Sequence, residues 1–427
     1  MKIAELYQKY LESGKVSTDT RQIASGSVFF ALKGDNFNAN EFAGEALSKG
    51  ASYAVVDELK YAVNDRCILV EDVLQTLQKL ARHHRDNLKI PVVGLTGSNG
   101  KTTSKELVLA VLSKKFKTLA TRGNLNNHIG VPLTILSIDA SHEMAIVEMG
   151  ANHVGEIATL CAISNPTHGF ITNIGKAHIG TFGGLENIIR GKSELYQHLI
   201  THDGMVYINS QNPVLANMAK RFKNPLFYPA VGDYYHCELI SSNPFLNVSS
   251  ENGEKIETQL IGAYNFENIA VALCLGKYFG VEAQLANQAV KEYVPGNMRS
   301  QVLKKGNNTI ILDAYNANPS SMAAAIESFS TMDGTRKVVI LGDMYELEGE
   351  AEAEHRKIGT LLKEKMIVTA YLCGSLMKAA KTTFPEGKFF ESRDLLVEEL
   401  KRDPIHDSVI LVKASRGMTL EKVVEFL

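Results

Sequence analysis

The chain carries no excess of charge of either sign: 45 Lys and Arg stand against 47 Asp and Glu in 427 residues. A net basic field that would gather nucleic acid or an anionic membrane is thereby excluded, and any anionic ligand must be held locally. No apolar run approaches the ~18 residues of a membrane-spanning helix. The opening "MKIAELYQKYLESGK" has no continuous apolar stretch of the kind that heads a secreted chain. Instead it places Ile3, Leu6, Tyr7, Tyr10 and Leu11 at helical spacing. Cysteine is scarce, an odd five at 67, 161, 237, 274 and 373. That excludes a disulfide scaffold and fits buried thiols in a reducing cytosol. A cytoplasmic monomer, with no nucleic-acid partner and no membrane insertion, is expected.

One further absence bears on chemistry. In "VVGLTGSNGKTTSKE", Val92 to Glu106, the common phosphate-loop spelling G-x-x-x-x-G-K-[ST] would require a glycine where Leu95 stands. Yet "PVVGLTG" reads as a buried strand and "TTSKELVLAVLS" as a helix, so Gly97 to Gly100 lies where a strand turns into a helix N-terminus. Backbone N–H groups and the helix dipole converge on an anion at such a turn. Gly97 and Gly100 permit close approach, Lys101 reaches β- and γ-phosphates, and the Thr102 hydroxyl can ligate Mg²⁺. An ordinary glycine-rich turn is the bland alternative, and Gly-Lys-Thr-Thr disfavours it.

The rest of the chain supplies a setting. With 45% hydrophobic residues, a chain of this length divides into about two to four domains. Short strand-like runs over 1–88 ("SVFFALKG", "ASYAVVD", "CILVED") predict a small α/β unit. Longer buried runs over 89–299 ("IPVVGLTG", "EMAIVEMG", "THGFITNIG"), each followed by helical periodicity, predict a doubly wound, mostly parallel sheet. From 300 to 427, "NTIILDAYN", "RKVVILGDM", "IVTAYLCG" and "DSVILVKAS" predict a Rossmann-like domain. Pro and Gly in "EYVPGNMRS" suit a hinge between the last two. The acidic run "ELEGEAEAEHRK" reads as a solvated helix face.

Within that frame several polar residues stand at strand ends or helix starts. Glu148 ends the strand "EMAIVE", where a doubly wound sheet presents ligands and where a carboxylate could hold Mg²⁺. His178 follows a strand and Lys192 lies on a helix; the bland reading of each is a structural histidine and a solvated lysine. Asn265 and Asn268 open a helix, as caps or as readers of a base edge. Arg299 suits phosphate charge and Asp313 suits ribose hydroxyls. Arg416, in "LVKASRGMTLE" with Lys413 and Ser415, could hold a free carboxylate or be solvated.

Taken together, these segments resemble the Mur ligase family, the ATP-dependent amide ligases of peptidoglycan precursor synthesis. The resemblance runs over nearly the whole chain, in order. Members carry a shortened loop, G-x-x-G-K-[ST], which Gly97-Ser98-Asn99-Gly100-Lys101-Thr102-Thr103 matches and which accounts for Leu95. "TDTRQIASGSVFFALKGDNFNANEF", "GNLNNHIGVPLTIL", "VEMGANHVGEI", "AHIGTFGGLENIIRGKSE", "DAYNANPSSM" and "LGDMYELEGEAEAEH" point to the branch whose substrates are UDP-N-acetylmuramoyl-tripeptide and D-alanyl-D-alanine. The D-[ND]-P-[RN] motif usual in the sibling that adds the third residue is not found.

The resemblance implies roles by position. Residues 97–103 with Asn265, Asn268, Arg299 and Asp313 would bind ATP. Lys101, His178, Lys192 and Arg299 would be catalytic. Thr102, Glu148, His178 and Lys192 would surround two Mg²⁺ ions, with Lys192 carbamylated. Thr18, Asp19, Thr20, Arg21 and Lys33 would hold the UDP-sugar end, and Asn316, Asn318 and Arg416 would also face substrate. Relatives often show Asp-Ala-His or Asp-Gly-His where this chain has Asn38-Ala39-Asn40, amides in place of charged or titratable groups. The rival readings are another amide ligase of the superfamily and a P-loop kinase or NTPase.

Overall fold

The computed structural model describes residues 1–334 and 336–427. The first unit is a four-stranded parallel sheet in which Val16–Ser17, Val28–Phe30, Tyr53–Val56 and Cys67–Leu69 lie side by side. The helix Ile3–Ser13 packs beside it by burying Leu6, Tyr7 and Tyr10 and leaving Leu11 exposed, and it ends where Gly14 takes a left-handed φ of 63°.

The helix Val73–Asn87 starts at Asp72, whose carboxylate accepts the Gln75 N–H at 2.7 Å. It belongs to the first unit by sequence and is bonded to the second as well. Tyr10 donates to the Leu136 carbonyl at 2.7 Å, His84 Nε2 meets the Ile138 carbonyl at 2.8 Å, and Arg82 reaches Ala162. Arg85 is buried, and its guanidinium donates to three carbonyls, those of Ser164, Asn165 and Leu88 at 3.0–3.1 Å. Charge-assisted bonds to buried carbonyls are worth ~1.5–3 kcal/mol apiece against leaving the acceptor bare. Arg85→Met is therefore expected to lower stability by ~3 kcal/mol, read as a lower urea midpoint with an unchanged slope; a midpoint equal to that of the parent would refute this role.

The second unit is built on a six-stranded parallel sheet, ordered Leu226–Tyr228, Met205–Asn209, His168–Ile171, Val92–Thr96, Met144–Glu148, Thr118–Ala120. Its central strands are buried at every residue because helices cover both faces. Lys101–Leu112, Phe266–Tyr278 and Ala283–Glu292 cover one face; Gly130–Leu136, Glu156–Ser164 and Leu185–Thr201 cover the other.

A separate antiparallel sheet of Glu238–Ser242, Phe245–Ser249 and Lys255–Ile261 departs from the parallel expectation for this stretch. The exposed-buried alternation of Lys255–Ile261 is that of a sheet wet on one face.

After the helix Ala283–Glu292 the chain crosses to the third unit through Asn297, Met298 and Ser300, all at positive φ of 49–57°. Its sheet runs Gln301–Lys305, Asn308–Asp313, Val409–Lys413, Lys337–Gly342, Thr369–Cys373, Lys388–Phe390, parallel except for the antiparallel first strand.

The acidic run is solvated at Glu346, Glu348, Glu350 and Glu352, as expected, with Glu354 the exception. On the helix Ala351–Glu364, Glu354 and His355 turn inward with Ile358 and Leu362. A buried carboxylate needs cations, and Glu354 takes Lys176 of the second unit at 2.8 Å and Lys357 at 2.7 Å. Of the cysteines, all are free and all but Cys67 are buried. Among the described residues no helix is long and apolar enough to cross a membrane.

Candidate active site

Leu95 sits fully buried within the strand Val92–Thr96, so the phosphate loop begins only at Gly97. A Cβ on Gly97, at φ 149°, would stand 1.9 Å from Thr172 Oγ1. A Cβ on Gly100, at φ 78°, would stand 2.6 Å from Asn268 Oδ1. No other residue fits either place without moving a neighbour. The loop is tied to the segment after the strand His168–Ile171: Ser98 exchanges hydrogen bonds with Gly175 at 2.9 Å, and the Asn99 N–H donates to Asn173 Oδ1 at 3.0 Å. Lys101 Nζ lies across the loop, donating to the Gly97 and Ser98 carbonyls at 2.8 and 3.2 Å. Burial pulls its pKa below the usual lysine range, Glu148 opposes that, and Arg299 adds to it.

Thr102 occupies the first turn of the helix Lys101–Leu112 and its hydroxyl points to Glu148 Oε1 at 3.4 Å. Asn126 donates to the same oxygen at 2.9 Å, whereas Oε2 is buried with no hydrogen-bond partner. Lys105, one turn beyond Lys101, places its ammonium 3.7 Å from Oε2. Asn126 and Lys105 are the residues sequence reasoning passed over. The i,i+4 spacing of Lys101 and Lys105 puts both on one helix face and was a usable signal.

His178 adopts a left-handed φ of 55° and its Nδ1 pairs with Glu346 of the third unit, whose carboxyl is held below its ordinary range by that bond. Lys192 is buried on the helix Leu185–Thr201 with Nζ 3.2 Å from the Ala151 carbonyl. Burial first, then the nearby Lys101, pulls its pKa well below the lysine range.

Asn265 and Asn268 form a buried chain: Asn265 Nδ2 donates to Ile261, Asn268 Nδ2 donates to Asn265 Oδ1, and Ser104 donates to Asn268 Oδ1. These bonds hold the two amides beneath the loop, with both residues facing the cavity that the loop lines.

From the third unit, Arg299 stacks its guanidinium 3.8 Å from the Tyr315 ring centre, with Nε buried and unpartnered. Asp313 accepts the buried Lys413 at 2.6 Å and the Ser300 N–H at 3.2 Å. Lys101, Thr102, Glu148, His178, Asn265, Asn268, Arg299 and Asp313 line one cavity of about 770 Å³, as do Asn316 and Asn318, whereas Lys192 and Lys105 do not. Arg416 pairs with Glu421 at 2.9 Å and does not line it.

Thr18, Asp19, Thr20 and Arg21 also lie outside that cavity. Arg21 is spent on Asp19 at 2.7 Å. Lys33 pairs with Asp57 at 2.9 Å and Glu58 at 3.3 Å, beside a shallow depression with Phe37, Asn38 and Phe42. At the Asn38-Ala39-Asn40 departure, Asn40 is buried and exchanges hydrogen bonds with Asp57 through both ends of its amide, at 2.8 and 3.0 Å.

Residues 95–276 match the Mur ligase middle domain and 298–416 the Mur ligase glutamate ligase domain. The chain is 34% identical to the UDP-N-acetylmuramoyl-tripeptide–D-alanyl-D-alanine ligase of Bacillus subtilis, over 96% of this chain and 92% of the relative. The chain belongs to the Mur ligase family.

The Escherichia coli ligase of the same name is 33% identical over 96% and 93%. Among solved Mur ligases, MurF from Acinetobacter baumannii superposes with a TM-score of 0.87 at 30% identity, covering 96% of this chain and 92% of that one. MurF from Thermotoga maritima in complex with ADP gives 0.86 at 27%, covering 97% of each. The three-domain α/β architecture is that of a Mur ligase.

Proposed function

We propose that the chain joins D-alanyl-D-alanine to UDP-N-acetylmuramoyl-tripeptide, converting ATP to ADP and phosphate, in the cytoplasmic synthesis of peptidoglycan precursors. The observation that carries this reading is the single cavity faced by the phosphate loop on one side and by Arg299, Asp313 and Asn318 of the third unit on the other. A simple NTPase switch has no need of a second domain closing over the γ-phosphate. A ligase does, because its activated intermediate must be kept from water.

A carboxylate resists amines, so the tripeptide carboxylate first takes the ATP γ-phosphoryl group to give an acyl phosphate. The amine of D-alanyl-D-alanine attacks that carbonyl, and collapse of the tetrahedral adduct expels phosphate and leaves the amide. Lys101 at the loop and Arg299 across the cavity neutralise the charge that shifts during transfer. Asp313, at a strand end, is assigned to the ribose hydroxyls. Thr18 to Arg21 and Lys33 are assigned to the UDP-sugar end, and Asn316 to the peptide. Arg416, paired with Glu421, is assigned to the dipeptide carboxylate.

The residues present fit a Mg²⁺ ion at Thr102 and Glu148, since the buried Glu148 Oε2 has no hydrogen-bond partner and oxygen ligands suit the ion. Bound there, Mg²⁺ supplies charge for the phosphates. Among the described residues no three His, Cys, Asp or Glu side chains gather to hold a metal. A second ion at His178 and Lys192 thus calls for a new ligand, and carbamylated Lys192 is the one we assign.

The test incubates the chain with ATP, Mg²⁺ and UDP-N-acetylmuramoyl-tripeptide, with and without D-alanyl-D-alanine, following phosphate release and product mass. Dipeptide-dependent phosphate and a pentapeptide product are expected; phosphate release indifferent to the dipeptide sinks the reading.

A further inference from the structure

The tip of the phosphate loop is held by two different domains. Its backbone is fixed from within the second unit: the Asn99 N–H donates to Asn173 Oδ1 at 3.0 Å, and its carbonyl accepts the Thr172 hydroxyl at 2.6 Å and Asn173 Nδ2 at 3.2 Å. Its side chain is fixed from the third, where Asn318 Nδ2, 219 positions along the chain, donates to Asn99 Oδ1 at 2.8 Å.

Asn318 caps the helix Pro319–Thr331, its Oδ1 accepting the Ser321 N–H at 2.9 Å. Serine or aspartate would cap as well. What asparagine adds is an amide N–H that reaches beyond the cap, and it is spent on the loop. Two positions on, Ser320 Oγ accepts the Lys176 N–H at 3.0 Å, so the first turn of this helix touches both the loop and the segment that braces it. Asn318 is buried and Asn99 partly so, which raises the cost of leaving the bond unmade.

We propose that Asn318 is a positioning residue for the ligase reaction: by bonding Asn99 it makes the productive shape of the phosphate loop conditional on docking of the third domain. The inference rests on the ligase reading above. Nucleotide can settle on the loop in either arrangement, and phosphoryl transfer waits for the Asn99–Asn318 bond. The catalytic groups that touch ATP remain Lys101 and Arg299, and Asn318 acts through Asn99.

The test is a double-substitution cycle with Asn318→Ser, which keeps the helix cap and loses the reach to Asn99, and Asn99→Ser, which removes the acceptor. For each single variant kcat is expected to fall about tenfold, the ~1.4 kcal/mol at the upper end of one neutral hydrogen bond. For Asn318→Ser the dissociation constant for ADP alone and the melting temperature should stay near the parent values. The double variant should be no slower than the slower single one. Losses that multiply, or Asn318→Ser with a kcat within twofold of the parent, overturn the coupling. So does a loss confined to ADP affinity. If Asn318→Ser lowers the melting temperature, Asn318→Asp, which also caps, repeats the arm. The parent enzyme is assayed alongside; its failure to make pentapeptide would refute the ligase reading, whereas a normal parent with unaffected variants refutes only this inference.

Discussion

Lys101→Met is expected to reduce kcat at least about a thousandfold while leaving the fold intact. The ammonium lies across the loop on the Gly97 and Ser98 carbonyls, poised at the phosphate-binding turn. A thousandfold is ~4 kcal/mol, the size expected when a preorganised cation is removed from a water-poor site where phosphoryl charge develops. Methionine keeps the stem's bulk, and it relieves rather than creates a burial cost, since desolvation already disfavours the charge. Steady-state ADP formation measures the loss, with circular dichroism as the check on folding. A variant retaining a tenth of parental turnover would remove Lys101 from the mechanism.

The second large effect is expected at Lys192. Carbamylation requires the neutral amine, and burial together with Lys101 pushes this lysine toward that form. Lys192→Ala should lose activity by at least about a hundredfold, on the scale reported for losing a metal ligand or its support. Acetate or formate, supplied at high concentration, should restore part of it by standing in the vacated space as a carboxylate. Independently of turnover, parent protein equilibrated with ¹³C-bicarbonate should show a carbamate carbon resonance that Lys192→Ala lacks. Full activity in the variant, or no resonance in the parent, removes the modification. A loss that no carboxylate rescues assigns the side chain to packing against Phe182, which its ammonium faces at 5.3 Å.

What could be read from the sequence was whatever depends on neighbours in the chain. The loop from Gly97 to Thr103 and the strand feeding it were visible because strand, turn and helix succeed one another within a dozen residues. Glu148 and Asp313 were visible as carboxylates at strand ends. The partners were not. Asn126 meets Glu148 across 22 positions, Glu346 meets His178 across 168, and Glu354 meets Lys176 across 178. No periodicity encodes such meetings. The acidic run is mostly solvated, as charge runs usually are, while Glu354 turns inward and meets Lys176 of the second unit, which the run itself does not reveal. Asn265 and Asn268 are visible in sequence as amides at a helix start, while their bonds to Ile261 and Ser104 are not.

The helix Val73–Asn87 is bonded to both of the first two units, through Arg85, His84 and the Tyr10 that rests beside it. That shared wall has a metrological consequence. On the proposed assignment of the UDP end to the first unit and the reacting carboxylate to the phosphate loop of the second, this shared helix spans the distance between them. That assignment predicts selection of the acceptor by length as well as by contact, with stems one residue shorter or longer turned over more slowly.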